Sequence, residues 1–90
     1  MTIQRILAIY VAPDCFGCET AREIAGVVRA LDQPNLDVRV VDLSSPHAIR
    51  PAEVFAIPTY VLDGRVISLG NPDKADLLAH LGLDPHGVTG

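Results

Sequence analysis

Ile9-Tyr10-Val11-Ala12-Pro13-Asp14-Cys15-Phe16-Gly17-Cys18-Glu19-Thr20-Ala21 holds both cysteines of the chain, two residues apart, where one pattern gives way to another. Upstream, Ile3 to Val11 alternates loosely and is rich in Ile, Val and Tyr, which predicts a buried strand. Ala12-Pro13-Asp14 ends it. Downstream, Ala21, Ile24, Ala25, Val28 and Leu31 recur at three- and four-residue steps. That spacing predicts a helix from Phe16 to Leu31, with Glu19, Arg22, Glu23 and Arg29 largely off its apolar face. Two thiols at i and i+3 where a helix starts can close into a disulfide with little backbone movement. Together they can carry two electrons.

The elements on either side follow from local signals. Asp32-Gln33-Pro34-Asn35 is a turn cluster, and Leu36 to Leu43 is a second strand carrying Val38, Val40 and Val41. Ser44-Ser45-Pro46 opens a short helical segment, with Ser45 as N-cap and Pro46 at the first helical position. Pro51 breaks or restarts it. Thr59 to Leu62 and Arg65 to Leu69 are short strands around Asp63-Gly64, a type I′ hairpin signal. Asn71-Pro72 caps a last helix to about Leu81, with Leu77, Leu78 and Leu81 inward and Gly82 as its left-handed stop. The order β-α-β-α-β-β-α, with a right-handed first crossover, predicts a four-stranded mixed sheet with helices on both faces.

Ninety residues, 49% of them hydrophobic, suit one domain with a compact core and no metal or staples. It is expected over residues 1–82, with 83–90 a C-terminal tail. The net charge of −4 and seven scattered basic residues argue against nucleic acid. The apolar run Ile6 to Ala12 is too short to span a bilayer, and no basic stretch or cleavage site frames it as an export signal. A monomer with no membrane partner is therefore expected in the cytoplasm. There, cysteine pairs are usually catalytic, sensing or metal-binding.

With the C-x-x-C at the first helix and a proline after Ile57, the chain resembles the thioredoxin fold from roughly Ile3 to Leu81. The local match is to glutaredoxin-like members, whose active-site run is similar to Tyr10, Pro13, Cys15 and Cys18 here. Ile57-Pro58-Thr59 looks like the family's cis-proline segment. Leu62-Asp63-Gly64 and Leu69-Gly70 look like the hairpin and glycine turn that complete its site. The resemblance implies an α/β thioredoxin-like fold and a redox-active disulfide between Cys15 and Cys18. It also implies a substrate surface at Phe16, Ile57, Pro58 and Gly70. Three positions depart from the pattern. Asp14 stands where thioredoxins carry Trp, Ile9 where they carry a buried carboxylate, and Ala12 where glutaredoxins commonly place a basic residue.

As a catalyst, the chain would use Cys15 as nucleophile. A sulfur at a helix start faces unpaired N–H groups and the positive dipole end, which favour thiolate, while Asp14 and Glu19 oppose it. Cys18 would resolve the mixed disulfide on protein partners. No cofactor need be bound, but an external reductant, a reductase or glutathione, must recycle the pair. No proline stiffens the Phe16-Gly17 turn, which favours a reducing protein. The rival reading is a thioredoxin-fold binding module whose cysteines hold metal or sense redox state without turnover. Structural zinc wants four donors, whereas this motif supplies two, and His47, His80 and His86 are isolated. Arg50 is the basic residue that could turn the site toward glutathione if the short helix aims it there. Asp73 is read as a dipole-matching acid of the last helix.

Overall fold

The computed structural model describes residues 4–83, so the expectations for Ile3 and for residues 84–90 lie outside the described residues. β1 (Arg5–Val11), α1 (Cys18–Ala30), β2 (Leu36–Asp42), β3 (Thr59–Leu62), β4 (Arg65–Leu69) and α2 (Lys74–His80) follow in that order. The sheet runs β2-β1-β3-β4. β1 and β2 pair in parallel from Arg5↔Leu36 to Val11↔Asp42, as a strand–helix–strand crossover requires. β3 lies antiparallel to β1, and β4 antiparallel to β3, which makes the sheet mixed as predicted.

The hairpin between β3 and β4 turns on Asp63 and Gly64, with φ of 50° and 84°, the pair of positive values a type I′ turn needs. Asp63 also latches the turn to β1. Its carboxylate accepts the Ile6 N–H at 2.8 Å and Arg5 Nε at 3.2 Å. These bonds hold the Asp63 carboxyl below its ordinary value, the Ile6 N–H contributing most and Arg5 next. Arg5 further donates to the carbonyl of Leu81 and, more weakly, to that of His80, at the negative end of α2. Gly82, at φ +75°, closes that end as expected. Its N–H bonds to the Ala79 carbonyl and the Leu83 N–H to that of Leu78, the two bonds of a Schellman motif.

Strand alternation sorts the side chains into two faces. Leu7, Ile9 and Val11 of β1 and Tyr60 and Leu62 of β3 point to one side, where they pack with Ala21, Ala25 and Val28 of α1 and Leu77 and Leu81 of the C-terminal helical region. All are buried. A further cavity between α1 and α2 is lined largely by aliphatic side chains, among them Ile24, Val28, Leu31 and Leu77.

The other face departs from expectation. The helix predicted from Ser45 is not formed, so among the described residues both helices lie on one side of the sheet. Residues 43–58 instead run as isolated turns. Ser45 N–H bonds to the Asp42 carbonyl, Ala48 N–H to that of Ser45, and Val54 N–H to that of Pro51. The prolines explain it. Pro51 has no N–H to give the His47 carbonyl, and it drives Arg50 out of the α region, leaving too few residues after Pro46 for a stable helix. Val54, 2% exposed, anchors the segment instead. Pro51 and Glu53 overhang the face formed by Ile6, Ala8, Tyr10, Val41 and Val61.

Two helix starts also differ. α1 begins at Cys18, not Phe16, because Gly17 takes φ +94° and acts as its cap. α2 is capped by Asp73 in extended conformation, not by Asn71-Pro72.

Candidate active site

Cys15 and Cys18 are joined, with an S–S distance of 2.02 Å and Cα atoms 5.3 Å apart. Gly17 supplies the left-handed residue that lets the chain turn from Cys15 into α1. The Cys18 N–H bonds back to the Cys15 carbonyl at 3.2 Å. Cys18 is therefore the first residue of α1, and Cys15 lies in the turn before it rather than within the helix. The two sulfurs are unequally sheltered. Cys18 is 3% exposed and belongs to the core cluster, whereas Cys15 is only partly buried.

Of the other residues singled out from sequence, Pro58 lies against this turn. Phe16 is fully exposed, so its ring is presented to solvent and makes no core contact. The Ile57–Pro58 bond is cis, as the resemblance implied. Pro58 is buried against the cysteine turn, where a Cβ placed on Gly17 would lie 3.8 Å from Pro58 Cδ. Ile57 is partly buried and packs on the core. Gly70, at φ +87°, donates its N–H to the Pro58 carbonyl at 2.7 Å, tying the end of β4 to the proline. Leu69 beside it is half exposed. Thr59, fully buried, donates its hydroxyl to the Ala56 carbonyl. Arg50 donates Nε to the Val54 carbonyl, closing its own loop.

A shallow cleft on the other side of the disulfide is lined by Asp14, Glu19, Asp42 and Arg22 beside both cysteines. Arg22 reaches Asp42 at 3.1 Å. The Asp42 carboxyl is held below its ordinary value, chiefly because it accepts the Ser44 hydroxyl and the Ser44 N–H, with Arg22 adding to it. The cleft thus carries three carboxylates against one guanidinium. Among the described residues no group of three or more His, Cys, Asp or Glu side chains gathers as a metal-holding set; His47 and His80 are exposed.

Two residues at the site were not foreseen as part of it. Asn71, read from sequence as a helix cap, donates Nδ2 to the Gly17 carbonyl at 2.9 Å. Tyr60 donates its hydroxyl to Asn71 Oδ1 at 2.9 Å. The available signal was Tyr60 itself, because a tyrosine on the inward face of a strand must find a partner for its hydroxyl.

A four-stranded mixed sheet, a C-x-x-C turn opening α1 and a cis-proline packed against it define a thioredoxin-like fold. Residues 5–82 match the family model described as a thioredoxin domain. The chain belongs to that family. No curated protein matches it. The family and the bonded cysteine pair together define a thioredoxin-like redox role.

Proposed function

We propose that the protein is a thiol–disulfide oxidoreductase that reduces or exchanges disulfides of protein partners. The observation that carries the reading is the unequal burial of two bonded sulfurs at the start of α1, beside Pro58. The accessible Cys15 attacks and the sheltered Cys18 resolves.

In the reduced protein, the Cys15 thiolate attacks one sulfur of the substrate disulfide. A Cys15–substrate bond forms, the substrate S–S bond breaks, and the departing sulfur leaves as thiolate and takes a proton. Cys18, once deprotonated, attacks the Cys15 sulfur. The mixed disulfide breaks, the second substrate thiol departs, and the Cys15–Cys18 disulfide remains. Two electrons have passed to the substrate. An external thiol donor, a reductase or glutathione, returns them. The positive end of α1 supports thiolate on the Cys15 side of this cycle.

An extended protein segment would pair with the backbone at Ile57 and lie against Phe16, Leu69 and the side-chain-free Gly70. Glutathione fits less well, since Asp14 and Glu19 flank the disulfide and Arg22 is already engaged by Asp42. The test is steady-state reduction of a protein disulfide by metal-free protein, compared with Cys15→Ser and Cys18→Ser. Turnover abolished in both variants, with a trapped mixed disulfide only in Cys18→Ser, supports the reading. A pair that cycles between states without accelerating any exchange points to the redox-sensing module instead.

A further inference from the structure

The exchange steps above use neither the buried phenol of Tyr60 nor the amide of Asn71. Tyr60 sits on β3 with no exposed surface, and its ring packs in the core beneath the site. Its hydroxyl meets Asn71 Oδ1 at 2.9 Å, and Asn71 Nδ2 meets the Gly17 carbonyl at 2.9 Å. Chemistry fixes the direction of both bonds. A backbone carbonyl can only accept, so the amide NH₂ must face Gly17. That leaves Oδ1 for the phenol, which must donate. Burial pushes the Tyr60 phenol up to about 12, so it keeps its proton at any ordinary pH.

The far end of this relay is the turn between the two cysteines. The Gly17 carbonyl also accepts the Ala21 N–H at 3.0 Å, a first-turn bond of α1. Among the described residues, Asn71 is the only side chain from outside the turn that hydrogen-bonds residues 15–18. A Cβ on Gly17 would come within 3.3 Å of Asn71 Nδ2, so the amide lies tightly over the turn.

We propose that Asn71, oriented by Tyr60, is a positioning residue that holds the Cys15–Cys18 turn in its disulfide-closed shape and thereby sets the redox equilibrium of the pair. This rests on reading the pair as a redox couple. Reduction breaks the S–S bond and adds two electrons and two protons. The two thiols then separate to non-bonded distance and the turn relaxes. A tether that opposes this relaxation keeps the sulfurs close, raises their effective concentration and favours the disulfide. Asn71 thus makes the dithiol a stronger reductant.

The test is a redox titration of the purified full chain in glutathione buffers, or dithiothreitol buffers if glutathione cannot span the transition. One disulfide plus two buffer thiol groups gives one dithiol plus one buffer disulfide. Asn71→Ala is expected to shift the equilibrium toward the dithiol by roughly three- to tenfold, the range one hydrogen bond can supply. Tenfold corresponds to about 30 mV for this two-electron couple. Asn71→Asp keeps the acceptor for Tyr60 but turns a carboxylate oxygen toward the Gly17 carbonyl, and should shift the equilibrium toward the dithiol at least as far as Asn71→Ala. Tyr60→Phe should shift the equilibrium the same way by less, because the amide is no longer oriented but can still reach Gly17. Thermal unfolding of oxidised and reduced forms gives a second readout: Asn71→Ala should destabilise the oxidised form more. Equilibrium constants within twofold of wild type, or equal destabilisation of both forms, would overturn the proposal. Turnover of protein substrates is not read here. A wild-type pair that titrates reversibly yet reduces no protein disulfide would sink the proposed function and leave the role of Asn71 decided by the titration.

Discussion

Among single residues, exposure is the basis of the proposed order of attack. Cys18 is packed among core side chains while Cys15 is partly open to solvent. In the reduced protein at neutral pH, alkylation should therefore modify Cys15 well before Cys18. Faster labelling of Cys18 in a peptide map would reverse the assignment. Gly17 makes a second prediction. Its φ of +94° and the nearby Asn71 amide leave no good place for a Cβ, so Gly17→Ala should destabilise the oxidised protein by about 1–2 kcal/mol in denaturant melts. A loss below about 0.3 kcal/mol would show that the turn is not held in this shape. The C-x-x-C pair was legible because its meaning lies in four adjacent residues. Asn71 was not, because its partner Gly17 is 54 positions away, and a residue ahead of a helix reads locally as a cap.

At the scale of elements, the hairpin and the middle segment teach opposite lessons. Asp63-Gly64 announced its turn because positive φ at two successive positions is a strong local demand, and the structure meets it. Ser45-Pro46 announced a helix start equally well, but Pro51 withdraws the residues needed to propagate one. Residues 43–58 consequently run as isolated turns, with Val54 buried among them. Val54→Ala should thus cost about 2 kcal/mol of stability, from two lost methyl groups and the space they leave. A change within experimental error in a urea melt would mean that Val54 is not the anchor. The latch at Asp63 predicts a pH effect. Its carboxyl is lowered from 3.8 in the folded protein, so its stabilising contribution is complete above that value and is lost as pH falls through the lower folded pKa. Asp63→Asn should flatten the acid limb of stability measured below about pH 4. An unchanged slope would remove Asp63 from the account.

For the whole molecule, the architecture concentrates chemistry at one end of the sheet. β1 ends there, α1 begins there, and β3 and β4 bring Pro58 and Gly70 to the same place. Mixed pairing was readable from element order, since a crossover makes strands parallel and a tight hairpin makes them antiparallel, whereas the placement of β3 beside β1 was not. The one-sided placement of helices was not, because it depends on the failure of the middle helix. Charge around the disulfide adds a substrate-level prediction. Asp14, Glu19 and Asp42 face one guanidinium, so a glutathionylated peptide should react more slowly than a protein disulfide at low ionic strength, and the gap should narrow with salt. A glutathione preference lost in Arg50→Ala would instead make the site a glutaredoxin's. The proposed turnover of protein disulfides by Cys15 and Cys18 has a direct kinetic readout. That readout is kcat/KM for reduction of a disulfide-bonded protein by the metal-free chain, recycled by excess thiol. The expected rate is far above that of the recycling thiol alone and falls to background in Cys15→Ser; a wild-type rate equal to that background, or full activity in Cys15→Ser, would overturn the proposal.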